Sequence, residues 1–314
     1  TDQVVALTSA QAAAMTTVLF VTLRRPPGAT RGAALFASTT LFRSLALKTT
    51  QVQALTTEQV QALTSAGIAA LSTAQAAALT TDQVVAITSV QVTALTTAQV
   101  ASLTTAQVGA LETDAFAPLK TTQIAALKTA QVQALSTDQV VALTTDQAQT
   151  LSNAQVAALT TAQTAALETA DLVVLKPSQI AALTTAQAGA LTTEQVVALT
   201  SAQVQTLSSN QLQALSTEQV AAIETGDVAA LKTTQVAALK TTQVQALTTE
   251  QVQALTSAGV AALNTNQVGA LTTDQVVALT SAQAAAMTTA QIATLSTAQV
   301  AAIETGDIAA LKST

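Results

Sequence analysis

Apolar residues fall on a fixed eight-residue beat. Leu, Ile or Met opens every eighth position, from Leu7 and Met15 through Leu55, Leu63, Ile87, Leu175 and Ile223 to Leu311, and only Arg31 and Thr39 break the series. A second apolar residue follows five positions after each head, as at Val60, Ile68, Val84 and Ile124, with Thr164 as a polar exception. Between the two stand hydroxyl residues and, four after the head, Gln in most words. The stretch LTTEQVQALTSAGVAALNTNQVGA, from Leu247 to Ala270, shows three consecutive words.

Each word carries the signals of a helix start. In LTTEQV a Thr follows the Leu, and Gln follows that Thr by three, the spacing of a capping box: the hydroxyl accepts from the N3 amide and the Gln side chain returns to the cap amide. The preceding Leu and the Val five positions on then occupy N′ and N4, the two ends of a hydrophobic staple. Pro177, in LKPSQIAA, falls at N1, the helical position that Pro tolerates best. Glu58, Asp82 and Glu250 fall just after the cap, where a carboxylate faces the positive end of the helix.

One continuous helix is the first alternative, and the period opposes it. Eight residues at about 100° each leave a stripe that drifts about 80° per word, whereas seven or eleven residues nearly close. A cap in every word argues for a new helix in every word, about six residues long and too short to stand alone in water. A β-solenoid is the second alternative, favoured by Thr and Val. Ala, Leu and Gln fill the second half of most words, however, and period-two alternation is absent. The expected fold class is therefore all-α: an elongated solenoid or superhelix of short capped helices, one per eight-residue repeat, with a narrow Leu/Val/Ala seam.

Composition narrows the chemistry. Hydrophobic residues make up 49 % of the chain but aromatics only 1 %, so the core is built from small aliphatic side chains. With no His, Cys, Trp or Tyr, the chain lacks the commonest general base, thiolate nucleophile and transition-metal ligands, and we expect neither an enzyme nor a cofactor. The net charge of −6 and the scattered Lys residues provide no basic surface for phosphates, so nucleic acid is not an expected partner. No apolar run approaches the roughly 18 residues of a membrane span, and none is expected.

Residues 1–314 read as a single continuous array, cut from a longer chain because it opens and closes in mid-word. One segment departs from it, residues 18–46, VLFVTLRRPPGATRGAALFASTTLFRSLA, which contains all four Arg residues. A basic loop for an acidic partner is one reading. The word register is the same on both sides, however, and LKTTQVQALTTEQVQALTSAG occurs at both Leu47 and Leu239, so the segment replaces an equal length of ordinary words. A reading-frame slip and its correction would do that, and TTLFRS, Thr39 to Ser44, looks like the translation of a sequencing adapter. We read 18–46 as a sequence error and expect words there in the natural chain, with Glu near position 32 and Lys near position 40, by analogy with Glu224, Lys232 and Lys240.

Charge placement has a rule of its own. Glu112, Glu168, Glu224 and Glu304 directly follow their heads, and each is followed eight residues later by Lys: Lys120, Lys176, Lys232 and Lys312. Either the pairs meet as a surface ladder, worth at most ~1 kcal/mol each, or they are copies of one ancestral block.

The phrase LTTEQVVAL, Leu191 to Leu199, resembles the opening of the repeats of transcription-activator-like effectors. That likeness covers one helix start; the longer period, the second helix and the base-reading loop are missing, and DNA recognition does not carry over. The array as a whole is similar to octapeptide tracts of large surface or adhesin-like proteins of Gram-negative bacteria. This similarity spans nearly the entire chain and implies a cell-surface or extracellular location.

Two sets of residues are candidate sites. The hydroxyl pairs Thr56 and Thr57, Thr80 and Thr81, Thr192 and Thr193, and Thr248 and Thr249 could carry covalent O-linked glycans or form a regular polar face; capping accounts for the first of each pair but not for the second. The carboxylates of ETGD, Glu224 with Asp227 and Glu304 with Asp307, are the nearest approach to a metal loop. They lack the dense alternating oxygens of calcium loops, and each Asp stands where Gln would complete a capping box. We expect no metal site. The functional expectation is the shaft of an extracellular or cell-surface fibre or adhesin that self-associates into filaments and carries O-glycans on Thr/Ser. The alternative is a solenoid binding module for a protein or glycan, which would need varied, anchor-bearing surfaces that these words lack.

Overall fold

The computed structural model describes residues 47–311, so the segment 18–46 lies outside the described residues. Among the described residues the chain is all-α, with 33 helices, one per word. They run from four residues, as in Ser89–Val92, to six, as in Thr73–Ala78. Each starts as the pattern predicts. At the helix Thr81–Val85 the cap residue Thr80 is extended (φ −75°, ψ 161°). Its Oγ1 accepts from the Gln83 amide at 3.2 Å while Gln83 Oε1 accepts from the Thr80 amide at 2.9 Å. Pro177 is the first residue of its helix, Pro177–Ala181. The helices end at the next head, whose amide, except at Leu119, donates three residues back, as Leu247 does to the Val244 carbonyl at 3.2 Å. That short bond tightens the last turn. The head itself is extended, as at Leu79 (φ −55°, ψ 141°), so two extended residues, head and cap, redirect the chain between helices.

The helices stack at a fixed interval. Thr73–Ala78 packs on Thr49–Gln53 and on Thr97–Ser102, and Ser257–Ala262 packs on Thr233–Ala238 and on Ser281–Ala286. Within Thr49–Phe116, and again within Thr121–Ala310, each helix thus packs on the third helix along the chain, and three words make one turn of 24 residues. The described residues fall into two compact units, the first ending at Pro118 and the second beginning at Leu119, each built of the same turn. Single-turn helices that could not persist in water acquire a neighbour on both sides.

In the interior words three positions are buried, the head, N3 and N4, whereas in the outermost described words some of them are half-buried or exposed, as at Leu55, Gln59, Leu295 and Val300. In one interior word the three are Leu95 (4 % exposed), Gln99 (1 %) and Val100 (2 %). The two apolar rows are the expected seam; the polar row inside it is not expected from the pattern. Size is balanced between stacked N4 positions, where Thr164 and Ala188 are followed one turn on by Leu212, all fully buried. A small residue in one layer leaves room for a large one in the next, which keeps the summed volume of the core. Thr164 joins the core because its Oγ1 donates to the Thr160 carbonyl at 2.9 Å, which satisfies the hydroxyl locally.

The stacking interval decides between the two readings of the Glu–Lys spacing. Words eight residues apart occupy successive sides of a turn, so Glu and Lys at that spacing do not lie side by side. The residues stacked on Glu168 and Glu224 are Thr192 and Thr248, and no charge ladder runs along these corners.

Candidate functional site

The most elaborate chemistry of the fold lies at its corners. A helix that ends leaves carbonyls without partners, and a buried carbonyl left so costs about 1–3 kcal/mol. The N3 Gln of the word one turn later supplies the donor. Gln83 Nε2 donates to the carbonyls of Val52 at 2.8 Å and Leu55 at 2.7 Å. Gln91 repeats this on Val60 and Leu63, Gln187 on Val156 and Leu159, and Gln251 on Val220 and Ile223. One carboxamide therefore closes two corners. Its oxygen caps the start of its own helix, and its nitrogen caps the end of a helix 28 to 31 residues earlier in the chain.

Capping alone could not have revealed the second half of this bond. Glu serves a capping box as well as Gln does, yet no described word has Glu at N3. That asymmetry was a readable sign that the nitrogen matters. Where the cap residue is Lys, as at Lys128, only the Gln half of the box exists, the Lys128 amide donating to Gln131 Oε1 at 2.7 Å; an ammonium has no lone pair for the N3 amide.

Six described words lack the Gln, with Gly67, Ala115, Asp171, Asp227, Gly259 or Asp307 in its place. Gly259 is buried, and a Cβ there would sit 3.1 Å from Thr256 Oγ1 and 3.6 Å from a Val236 methyl. Asp227 and Asp307 each receive a hydroxyl from the turn below, Ser201 Oγ at 2.5 Å and Ser281 Oγ at 2.6 Å. The ETGD carboxylates are thus divided, with Asp227 buried and Glu224 exposed. Among the described residues no three His, Cys, Asp or Glu side chains group as metal ligands do.

The structure places the candidate hydroxyls on the outer edge of the corners. Thr56, Thr80, Thr192 and Thr248 are caps, each accepting from the N3 Gln amide at 3.1 to 3.3 Å. The second members, Thr57, Thr81, Thr193 and Thr249, open their helices. Thr80 and Thr81 are exposed, whereas Thr56, Thr57, Thr192, Thr193 and Thr249 are half-buried. In the three TTE words the carboxyls of Glu58, Glu194 and Glu250 are held below their usual range, chiefly by their own backbone amides and then by the neighbouring Thr hydroxyls. Between Thr169–Val174 and Thr193–Ala198 lies a shallow groove lined by Thr169, Thr193, Glu194, Val197 and Ala198. No helix among the described residues is long and apolar enough to cross a membrane.

Stacked single-turn helices with a buried side-chain link at each corner define the class: an all-α repeat array turning once every three words. The chain belongs to the ALTTAQ repeat family, whose repeat matches residues 45–73, 61–89, 84–121, 116–153, 164–201, 220–257, 252–281 and 281–314. No curated protein and no solved structure shows significant similarity to it.

Proposed function

We propose that this array is a structural shaft in an extracellular or cell-surface fibre of the adhesin kind found in Gram-negative bacteria, that it self-associates into filaments and performs no catalysis. The observation that carries this reading is the repeated corner link. Because the same buried Gln bond joins successive turns, a stack gains one equivalent step for each three words added, and its cohesion comes from nearest-neighbour terms. Among the described residues its outer faces vary among Ala, Val, Gln, Thr and a few charges and offer none of the aromatic or Arg anchors that dominate binding surfaces. Exposed hydroxyls such as Thr80 and Thr81 are suited to O-linked glycans that keep an apolar filament dispersed, while the half-buried Thr56, Thr57, Thr192, Thr193 and Thr249 are less available.

Negative-stain microscopy of the native source tests the shaft, with long uniform filaments expected; compact monomers that capture one soluble partner would move the assignment to a binding module. Mass spectrometry after β-elimination tests the glycans, with Thr80 and Thr81 modified in preference to Thr192 and Thr193.

A further inference from the structure

One corner departs from the rule in a way that gives it a chemistry of its own. Asp171 is 2 % exposed and stands where the words one turn before and after place Gln147 and Gln195, whose amides reach Leu119 and Leu167 carbonyls at 2.6 Å. Its Oδ2 is, among the described residues, the one buried side-chain nitrogen or oxygen without a hydrogen-bond partner. At Asp227 a Ser hydroxyl from the turn below fills the equivalent need; the residue at that place below Asp171 is Thr145.

We propose that the turn around Asp171 is a proton-sensitive joint of the stack, closed while the carboxyl is neutral and loosened when it ionises. A neutral carboxyl presents one acceptor and one O–H donor, the polarity of the carboxamide that this socket accommodates elsewhere. A carboxylate presents acceptors only, in a site whose other members receive a donor, and a buried charge without a partner is costly. No cation compensates. The helix carrying Asp171, Thr169–Val174, packs on Thr145–Thr150 and Thr193–Ala198, whose only charged residues are Asp146 and Glu194, both exposed, and its cap residue is Glu168. Burial first, and repulsion from Glu168 second, push the Asp171 carboxyl up to about 6 from 3.8.

A folded-state value above the unfolded one means that the contribution is fully present below the unfolded value and is lost as pH rises through about 6. Over the span from about pH 5 to 8 the opening constant of this turn rises about tenfold. Hydrogen exchange on the full chain, expressed as protection factors to remove the intrinsic rate, reads this directly. Amides of Thr169–Val174 lose about tenfold protection over that range, while those of Thr233–Ala238, which carries no carboxylate, stay level. Asp171→Asn and Asp171→Gln each abolish the pH response of this turn, and Asp171→Gln exceeds the wild type in protection at the alkaline end. A flat wild-type response, or the same response in either variant, overturns the proposal.

Discussion

Replacing Gln251 with Glu separates the two jobs of the corner side chain. Gln251 is 1 % exposed; its Oε1 accepts from the Thr248 amide at 2.9 Å, and its Nε2 donates to the carbonyls of Val220 at 3.0 Å, Ala221 at 3.1 Å and Ile223 at 2.6 Å. Glu is nearly isosteric and completes a capping box equally well, so an isolated helix would tolerate it. In the stack the substitution sets a carboxylate oxygen against those carbonyls and leaves the Ile223 oxygen without its donor. A buried acceptor without a partner costs about 1–3 kcal/mol, and a charged group costs more. We therefore expect Gln251→Glu to lose about 3 kcal/mol or more at neutral pH and to recover part of it when acidified. Gln251→Ala strands both the Thr248 amide and the Ile223 carbonyl and opens a small cavity, for about 3–5 kcal/mol. In a one-dimensional array such losses stay near the lesion. The assay is therefore native-state hydrogen exchange at the Thr248 amide and along Thr217–Ala222 and Thr249–Ala254, beside urea unfolding. A Glu variant within about 0.5 kcal/mol of the wild type would show that the inter-turn bond contributes nothing and that only local capping matters.

Further outcomes follow from the same geometry. Lys240→Thr supplies the missing hydroxyl half of the box and removes a cation from a helix start, so helix Thr241–Ala246 gains about 0.5–2 kcal/mol, measured by its exchange protection. Ile180, fully buried at N4, costs about 2–5 kcal/mol when truncated to Ala, and an unchanged urea midpoint would contradict its core position. Glu250 behaves oppositely to Asp171. Its carboxyl is lowered, chiefly by its own backbone amide and then by Thr248 and Thr249, so its contribution is present above the unfolded value and fades as pH falls through the folded one. Carboxyl NMR titration should place it below a free Glu, and Thr248→Val with Thr249→Val should return it toward the free value.

The helices were legible in the sequence because their determinants are local. Head, hydroxyl, Gln and Val lie within six residues of one another, and the boundaries at Thr56, Thr80 and Pro177 follow from capping chemistry that a short peptide already contains. The buried rows of Leu and Val were legible for the same reason. The role of the second Thr was half legible: its proximity to the cap was visible, but the influence of the neighbouring hydroxyls on the Glu58, Glu194 and Glu250 carboxyls depends on side-chain rotamers that the pattern does not specify. The number of words per turn was not legible at all. It depends on the dihedral angles of the two extended corner residues, as at Leu79 and Thr80, and an error of a few degrees repeated at every corner would change which words meet. From that one tertiary quantity came the burial of Gln83 and its equivalents, the pairing of Asp227 with Ser201, the isolation of Asp171 and the choice against a Glu–Lys ladder. Local hydrogen bonds determine where each helix starts and stops; which residues share a corner is decided only when the third word has closed the turn and a carbonyl 28 residues away comes within reach of an amide.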